Sequence, residues 1–295
     1  AVSLWEFLDV CRTSMGSRLL ARWLCQPLAD KEAIIRRQEA VQTLTDQFLM
    51  RETIGDCLSA MYDMDRLATR IAYGSASPRD VGQLGLSLKQ IPALLEAARP
   101  VTSWPEWQIT SDCSGLQKKI EDALIEDLPL TMKDGGLFRD GYDSRLDELR
   151  RLSADGNSFI LDLEQRERER TGVKSLKIGY NRVFGYYIDV RKGNLSAIKE
   201  EFGYIPRQTL ANSTRFTTAE LKEREDRILS ANDERISLEA SLFQDLLKEV
   251  ESHLFEIHAA ARTAAQIDAL LALADQAVRY GYTRPVFHED PAVDI

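Results

Sequence analysis

Two arginines, two side-chain amides and three hydroxyls crowd into the stretch RQTLANSTRF: Arg207, Gln208, Thr209, Asn212, Ser213, Thr214 and Arg215. Guanidinium forks, amide NH2 groups and hydroxyls are the donors that hold phosphate oxygens. Contacts of that kind fix a protein on a nucleic acid without reading its bases. A helix expected from about Thr217 adds unpaired N–H groups, and their partial positive charge, beside the same loop. Asn181 and Arg182, in the tripeptide NRV, offer a second cluster of donors. The competing reading is a turn whose polar side chains satisfy their own backbone.

Charge distribution favours the first reading. The chain has 295 residues and a net charge of −9. Between Gly172 and Ala219 stand eight cations, Lys174, Lys177, Arg182, Arg191, Lys192, Lys199, Arg207 and Arg215, against three anions, Asp189, Glu200 and Glu201. A basic segment in an acidic chain is the layout expected when one part touches a polyanion. An ordinary solvated β-surface is the alternative.

Other chemistries find little support. No G-x-x-x-x-G-K-[ST] phosphate loop and no G-x-S-x-G elbow occur. His253 and His258 are five residues apart, a spacing that does not share a helix face, and no cysteine or carboxylate completes a metal site around them. Asp63 and Asp65 read as helix-capping carboxylates. The run EQRERER (164–170) reads as a solvated helix face. Cys11, Cys25, Cys57 and Cys113 form no C-x-x-C pair and read as reduced thiols. No run of about 18 apolar residues exists to span a membrane. The opening AVSLWEFLDV lacks signal-peptide features, which points to a cytosolic protein or an excised piece of one.

The elements that must position the basic segment are helical. Thr13 or Ser14 caps a helix that ends before Pro27, Asp30 caps the next, and Asp63 or Asp65 opens a third that Gly74 ends. Ser77-Pro78 starts a fourth, which Pro92 inside it should kink. Pro100 to Trp107 reads as a loop. From Tyr142 a charged helix carries the stripe Tyr142, Leu146, Leu149, Leu152, Phe159, Ile160 and Leu163 and stops at Thr171-Gly172. Gly156, inside it, costs about 1 kcal/mol relative to Ala. SLKIGY and FGYYIDV then switch to a β-hairpin pattern around NRV, and residues 191–216 read as irregular. Thr217 to Tyr280 contains neither Gly nor Pro. As one helix it would extend about 95 Å. Leu229, Ile236, Phe243, Val250, Ile257, Ala264, Leu271 and Val278 recur every seventh residue along it, an a/d seam whose upper half can pair with the shorter helix before the hairpin. A self-associating coiled coil is the alternative.

Four segments resemble the middle of the bacterial MutS family of DNA mismatch-recognition proteins. They are LWEFLDVCRTSMGSRLLARWLCQPL, KDGGLFRDGYDSRLDELR, RERERTGVKSLKIGYNRVFGYYIDV with RQTLANSTRFTTAELKEREDRIL, and RPVF (284–287). The resemblance covers essentially the whole chain. It implies a mainly α fold with a small β-rich insertion: a helical core (1–140), an ascending lever helix (141–171), a β-rich DNA clamp at the tip (172–216), a descending lever helix antiparallel to the first (217–281) and a linker (282–295) toward an ATPase domain. The clamp would hold double-stranded DNA by its backbone. Carried over by motif, Asn181, Arg207, Gln208, Asn212 and Arg215 are the expected DNA contacts. Ala211 stands where some family members have Lys, so that contact would be either weaker or supplied by a neighbour such as Arg182 or Lys177.

The resemblance further implies that the mismatch-reading Phe and Glu lie before this segment and the nucleotide site after it. The segment itself would then have no ATPase activity and no cofactor, with ATP and Mg belonging to the full-length protein. The partners implied are double-stranded DNA, a second copy in a homodimer and other mismatch-repair proteins, in the bacterial cytoplasm with the nucleoid. A structural coiled-coil module that binds another protein and no DNA remains the rival function.

Overall fold

A computed structural model of the chain describes residues 3–102, 113–181, 183 and 185–287. Among them the protein is mainly α with one small antiparallel sheet, the fold class expected. The chain separates into two compact units, one of Ala1–Thr131 with Phe243–Ile295, the other of Met132–Leu242.

The first unit contains α1 (Leu4–Leu8), α2 (Ser14–Cys25), α3 (Lys31–Asp46), α4 (Phe48–Ser59), α5 (Met64–Ala72), α6 (Pro78–Ala97) and α7 (Ser114–Ala123). Their starts follow the capping signals. Thr13 accepts from the Gly16 N–H, Asp30 from Ala33 and Asp63 from Arg66, and Ser77 with Asp80 forms a reciprocal capping box. Helix α6 continues through Pro92. Most of the loop expected from Pro100 to Trp107 lies outside the described residues.

The long run after Thr217 is not one helix. It forms α9 (Ala219–Ser252) and α10 (Leu254–Tyr280), separated by His253. The Ser252 hydroxyl donates to the Glu249 carbonyl at 2.7 Å, and His253 Nδ1 lies 2.9 Å from the same oxygen. That carbonyl would otherwise take the His253 N–H, so side chains have displaced a helical bond.

Helix α10 is buried on most of its sides and is the central helix of its unit. Ile257, Ala260, Ala261, Ala264, Ala265, Ile267, Ala269, Leu270, Leu271, Ala272 and Ala274 are all buried, far beyond a two-position seam. Val278, the last heptad position, is 47% exposed. Buried Asp268 accepts from the Arg12 N–H, the Thr13 N–H and the Thr13 hydroxyl at 2.7–2.8 Å, tying α10 to the start of α2. Burial pushes its pKa up despite those three donors.

The second unit is built on α8 (Ser144–Thr171) and the first part of α9. Their side chains meet in antiparallel order: Arg145 with Glu234 at 2.9 Å, Gly156 against Ile228, and Arg166 with Glu220 at 2.7 Å. Leu146, Leu149, Ile160 and Leu163 of the expected stripe are buried, whereas Tyr142 and Leu152 are exposed. The side of α8 that faces α9 passes instead through half-buried Gly156, where a side chain would enter the space of Ile228. Glu239 is buried as well. It accepts the Leu137 N–H at 2.9 Å and pairs with Arg235 at 3.1 Å.

Candidate nucleic-acid interface

Gly172, in the left-handed conformation at φ 69°, ends α8 as expected. The chain then forms β1 (Lys177–Asn181) and β2 (Gly185–Arg191), paired antiparallel as the hairpin pattern predicts. Residues 191–216, read as irregular, contain β3 (Ile205–Thr209) and most of β4 (Ser213–Thr217), which complete a four-stranded sheet in the order β1-β2-β4-β3. The outermost strand, β3, carries Pro206, which a sheet tolerates only at an edge or bulge. That proline and the polar sequence STRFT conceal a hairpin in the sequence.

One face of the sheet is apolar. Ile188, Val190 and Phe216 join Ile160 and Leu163 of α8 and Leu221 and Ile228 of α9 in one core cluster, with Ile178 and Tyr186 packed against it. Two helix carboxylates complete the strand bonding. Glu164 accepts the Ile178 N–H at 2.7 Å, and Glu225 accepts the Tyr186 N–H at 3.1 Å. Such N–H groups would otherwise be left unpaired beside a low-dielectric core. Burial pushes the Glu225 pKa up. Gly185, at φ 74°, sits so close that a Cβ would come within 2.9 Å of Glu225 Oε2.

Alternation along the strands then fixes the outward face. The register pairs Lys177 with Asp189, Gly179 with Tyr187, Asp189 with Arg215, Arg191 with Ser213 and Gln208 with Arg215. Lys177, Asn181, Gln208 and Arg215, from three strands, therefore share one face. Arg207 is exposed and is the extra residue of a bulge between Pro206 and Gln208. Asn212 is exposed in the β3–β4 turn, its carbonyl accepting the Lys192 N–H at 3.0 Å. Arg182 lies outside the described residues.

Two contacts match the competing reading. Asn181 Oδ1 accepts the Val183 N–H at 2.8 Å, so the side-chain oxygen serves its own turn while the NH2 group keeps its donors. Thr218 accepts the Leu221 N–H at 3.1 Å, which takes one of the α9 amide donors expected at the site.

Arg191 belongs to the same face and was not singled out from the sequence. The signal is present in YYIDVR: with Ile188 and Val190 inward, Tyr187, Asp189 and Arg191 must point outward. Arg215 is the most constrained cation of the group. Its Nη1 donates to Gln208 Oε1 at 2.9 Å, and its Cζ lies 4.1 Å from the centroid of the Tyr187 ring. The face thus presents Lys177, Arg191 and Arg215 with one acid, Asp189, and Arg207 at its bulged edge. Such a surface can bind a chain of phosphates. Among the described residues no cluster of His, Cys, Asp or Glu could hold a metal ion, and no helix is long and apolar enough to cross a membrane.

A family model described as MutS domain III matches residues 1–274, which include the whole sheet and both helices beneath it. The chain belongs to the MutS family. DNA mismatch repair protein MutS of Desulforamulus reducens is 43% identical over 298 residues, covering 99% of this chain and 34% of its own length. The MutS of Geobacillus thermodenitrificans is 44% identical, covering 99% of this chain and 32% of its own length. That of Staphylococcus carnosus is 40% identical over 296 residues. The chain thus spans about a third of the length of these curated MutS relatives.

Proposed function

We propose that this chain is the part of a DNA mismatch-repair protein that holds double-stranded DNA by its backbone, without reading sequence or mismatch. The observation that carries the reading is the outward face of the sheet, where Lys177, Asn181, Arg191, Gln208 and Arg215 converge from all four strands, with Arg207 and Asn212 at its margin. Their donors suit phosphate oxygens. The names of the curated relatives supply the repair context. Arg182 stays in the proposed contact set on its sequence position alone. The chain carries out no catalytic step and needs no cofactor in this role. For the full-length protein we propose ATP hydrolysis, homodimer formation and contact with other repair proteins, in the bacterial cytoplasm with the nucleoid. There the helices would couple nucleotide state to the grip on DNA.

Binding measured by fluorescence anisotropy across a salt series tests this. Four cations, Lys177, Arg191, Arg207 and Arg215, predict a slope of log K against log salt of about −3 to −4, or roughly a hundredfold loss between 50 and 200 mM salt. Matched and mismatched duplexes should bind alike. The pair Arg207→Glu with Arg215→Glu should abolish binding while leaving helicity intact. A salt-independent interaction, or retention by the charge-reversed variant, returns the chain to the rival reading of a protein-binding helical module.

A further inference from the structure

The outward face holds a row of residues that runs across all four strands. Gly179 on β1 lies directly opposite Tyr187 on β2. A Cβ at Gly179 would come within 2.8 Å of both Cζ and Oη of Tyr187, so the ring occupies the space that a side chain at 179 would fill. The Arg215 guanidinium on β4 lies over that ring, and Gln208 on β3 takes its Nη1 hydrogen. Arg215 Nε is buried and has no protein partner. Asp189 Oδ1, on the residue directly opposite, is buried and unpartnered too. The guanidinium is therefore fixed by a ring and an amide, while one of its donors stays uncommitted.

We infer that Tyr187 is a positioning residue, which, with Gly179 beneath it, fixes the Arg215 guanidinium in advance for a DNA phosphate. An arginine that must order itself on binding gives up rotamer freedom at that moment. Here the stacking and the Gln208 bond impose that order in the free protein. A planar fork over an aromatic face is an arrangement that lysine cannot reproduce. Tyr187 is outside the core cluster of the sheet, so its replacement leaves the apolar face untouched.

This inference rests on the proposed DNA contact, and two measurements on the full chain separate the two. The first is binding of a short fluorescein-labelled duplex. Arg215→Ala should weaken binding and reduce the salt exponent by about 0.9. Tyr187→Leu should weaken it about two- to fivefold, the contribution of one cation–π contact. It should have no further effect when Arg215 is already Ala. Tyr187→Phe, which keeps the ring, should bind as the wild type does. Gly179→Ala should also weaken binding, because the added Cβ would push the Tyr187 ring out from under the guanidinium. An equal effect of Tyr187→Leu with and without Arg215, or no effect at all, overturns the inference and leaves the DNA contact standing.

The second measurement needs no DNA. The Nε–Hε signal of Arg215, followed by NMR relaxation, should report an ordered guanidinium in the wild type and Tyr187→Phe and a mobile one in Tyr187→Leu. An unchanged order parameter overturns the positioning role. If the wild type binds no duplex while the order parameter falls as expected, the positioning stands and the proposed ligand is wrong.

Discussion

Gly156 offers a test of how α8 and α9 meet. In an exposed helix, Gly→Ala is favourable by about 1 kcal/mol, because alanine loses less backbone entropy. Here the added Cβ would lie 2.9 Å from Ile228 Cδ1 and closer still to Cγ1, in a buried cluster. Overpacking of that kind costs about 1–3 kcal/mol. The net effect of Gly156→Ala is therefore a loss of about 1 kcal/mol. Ile228→Ala alone should cost about 2–5 kcal/mol through lost burial and the cavity left behind. It also removes the two atoms nearest the new methyl group, leaving only Cβ, at 3.4 Å. In that background Gly156→Ala should become stabilising by about 1 kcal/mol, a coupling of about 2 kcal/mol between the two sites. Urea unfolding followed by far-UV circular dichroism, compared at constant m-value, reads all four proteins. Gly115→Ala is the control: it meets nothing within 4 Å in α7 and should be neutral to stabilising. Additivity of Gly156→Ala and Ile228→Ala within about 0.5 kcal/mol would refute the close approach.

Three further outcomes follow from the same geometry. Glu239→Ala strips the Leu137 N–H of its acceptor and Arg235 of its buried carboxylate, and should cost about 3–5 kcal/mol. Glu239→Gln keeps an acceptor and should cost less than half as much in the same unfolding assay; equal costs would assign the whole loss to the ion pairing and none to the Leu137 N–H bond. Asp189→Asn removes the one acid among the outward cations and should raise duplex affinity about two- to fivefold at low salt. An unchanged affinity would place the duplex elsewhere. Acid should weaken the first unit through its caps. For both Asp63 and Asp80 burial works against ionisation. The Arg18 guanidinium and the Arg66 N–H at Asp63, and Ser77 and Arg70 at Asp80, outweigh it and hold both pKa values below the ordinary carboxylate range. Their stabilisation is complete above about pH 4 and disappears as pH falls through the lowered folded-state values. Asp63→Asn with Asp80→Asn should flatten that acid limb of the stability curve, and an unchanged limb would assign acid sensitivity to other groups.

The helix starts were legible because capping is local. Thr13, Asp30, Asp63 and Ser77 each lie within three residues of the N–H they accept, and Gly172 ends α8 by its own backbone freedom. The features that were not legible depend on residues far apart in sequence. Gly156 reads as a defect until Ile228 is seen beside it. The β3–β4 hairpin lacks an alternating apolar pattern because β3 is an edge strand and the outward row of β4 is polar. The break at His253 comes from two side chains competing for one carbonyl, with no Gly or Pro to mark it. At the site, residue types alone singled out Asn181, Gln208 and Arg215, whereas Lys177 entered through the family resemblance. Arg191 and the Tyr187 stack required the strand register.

The central claim is that one face of the sheet meets the phosphate backbone, and amide and arginine side-chain NMR shifts during a duplex titration test it most directly. The account predicts perturbations at Lys177, Asn181, Arg191, Arg207, Gln208 and Arg215, reversed by added salt and the same for matched and mismatched duplex. Perturbations centred on α10, with the sheet signals unmoved at saturating duplex, would contradict it.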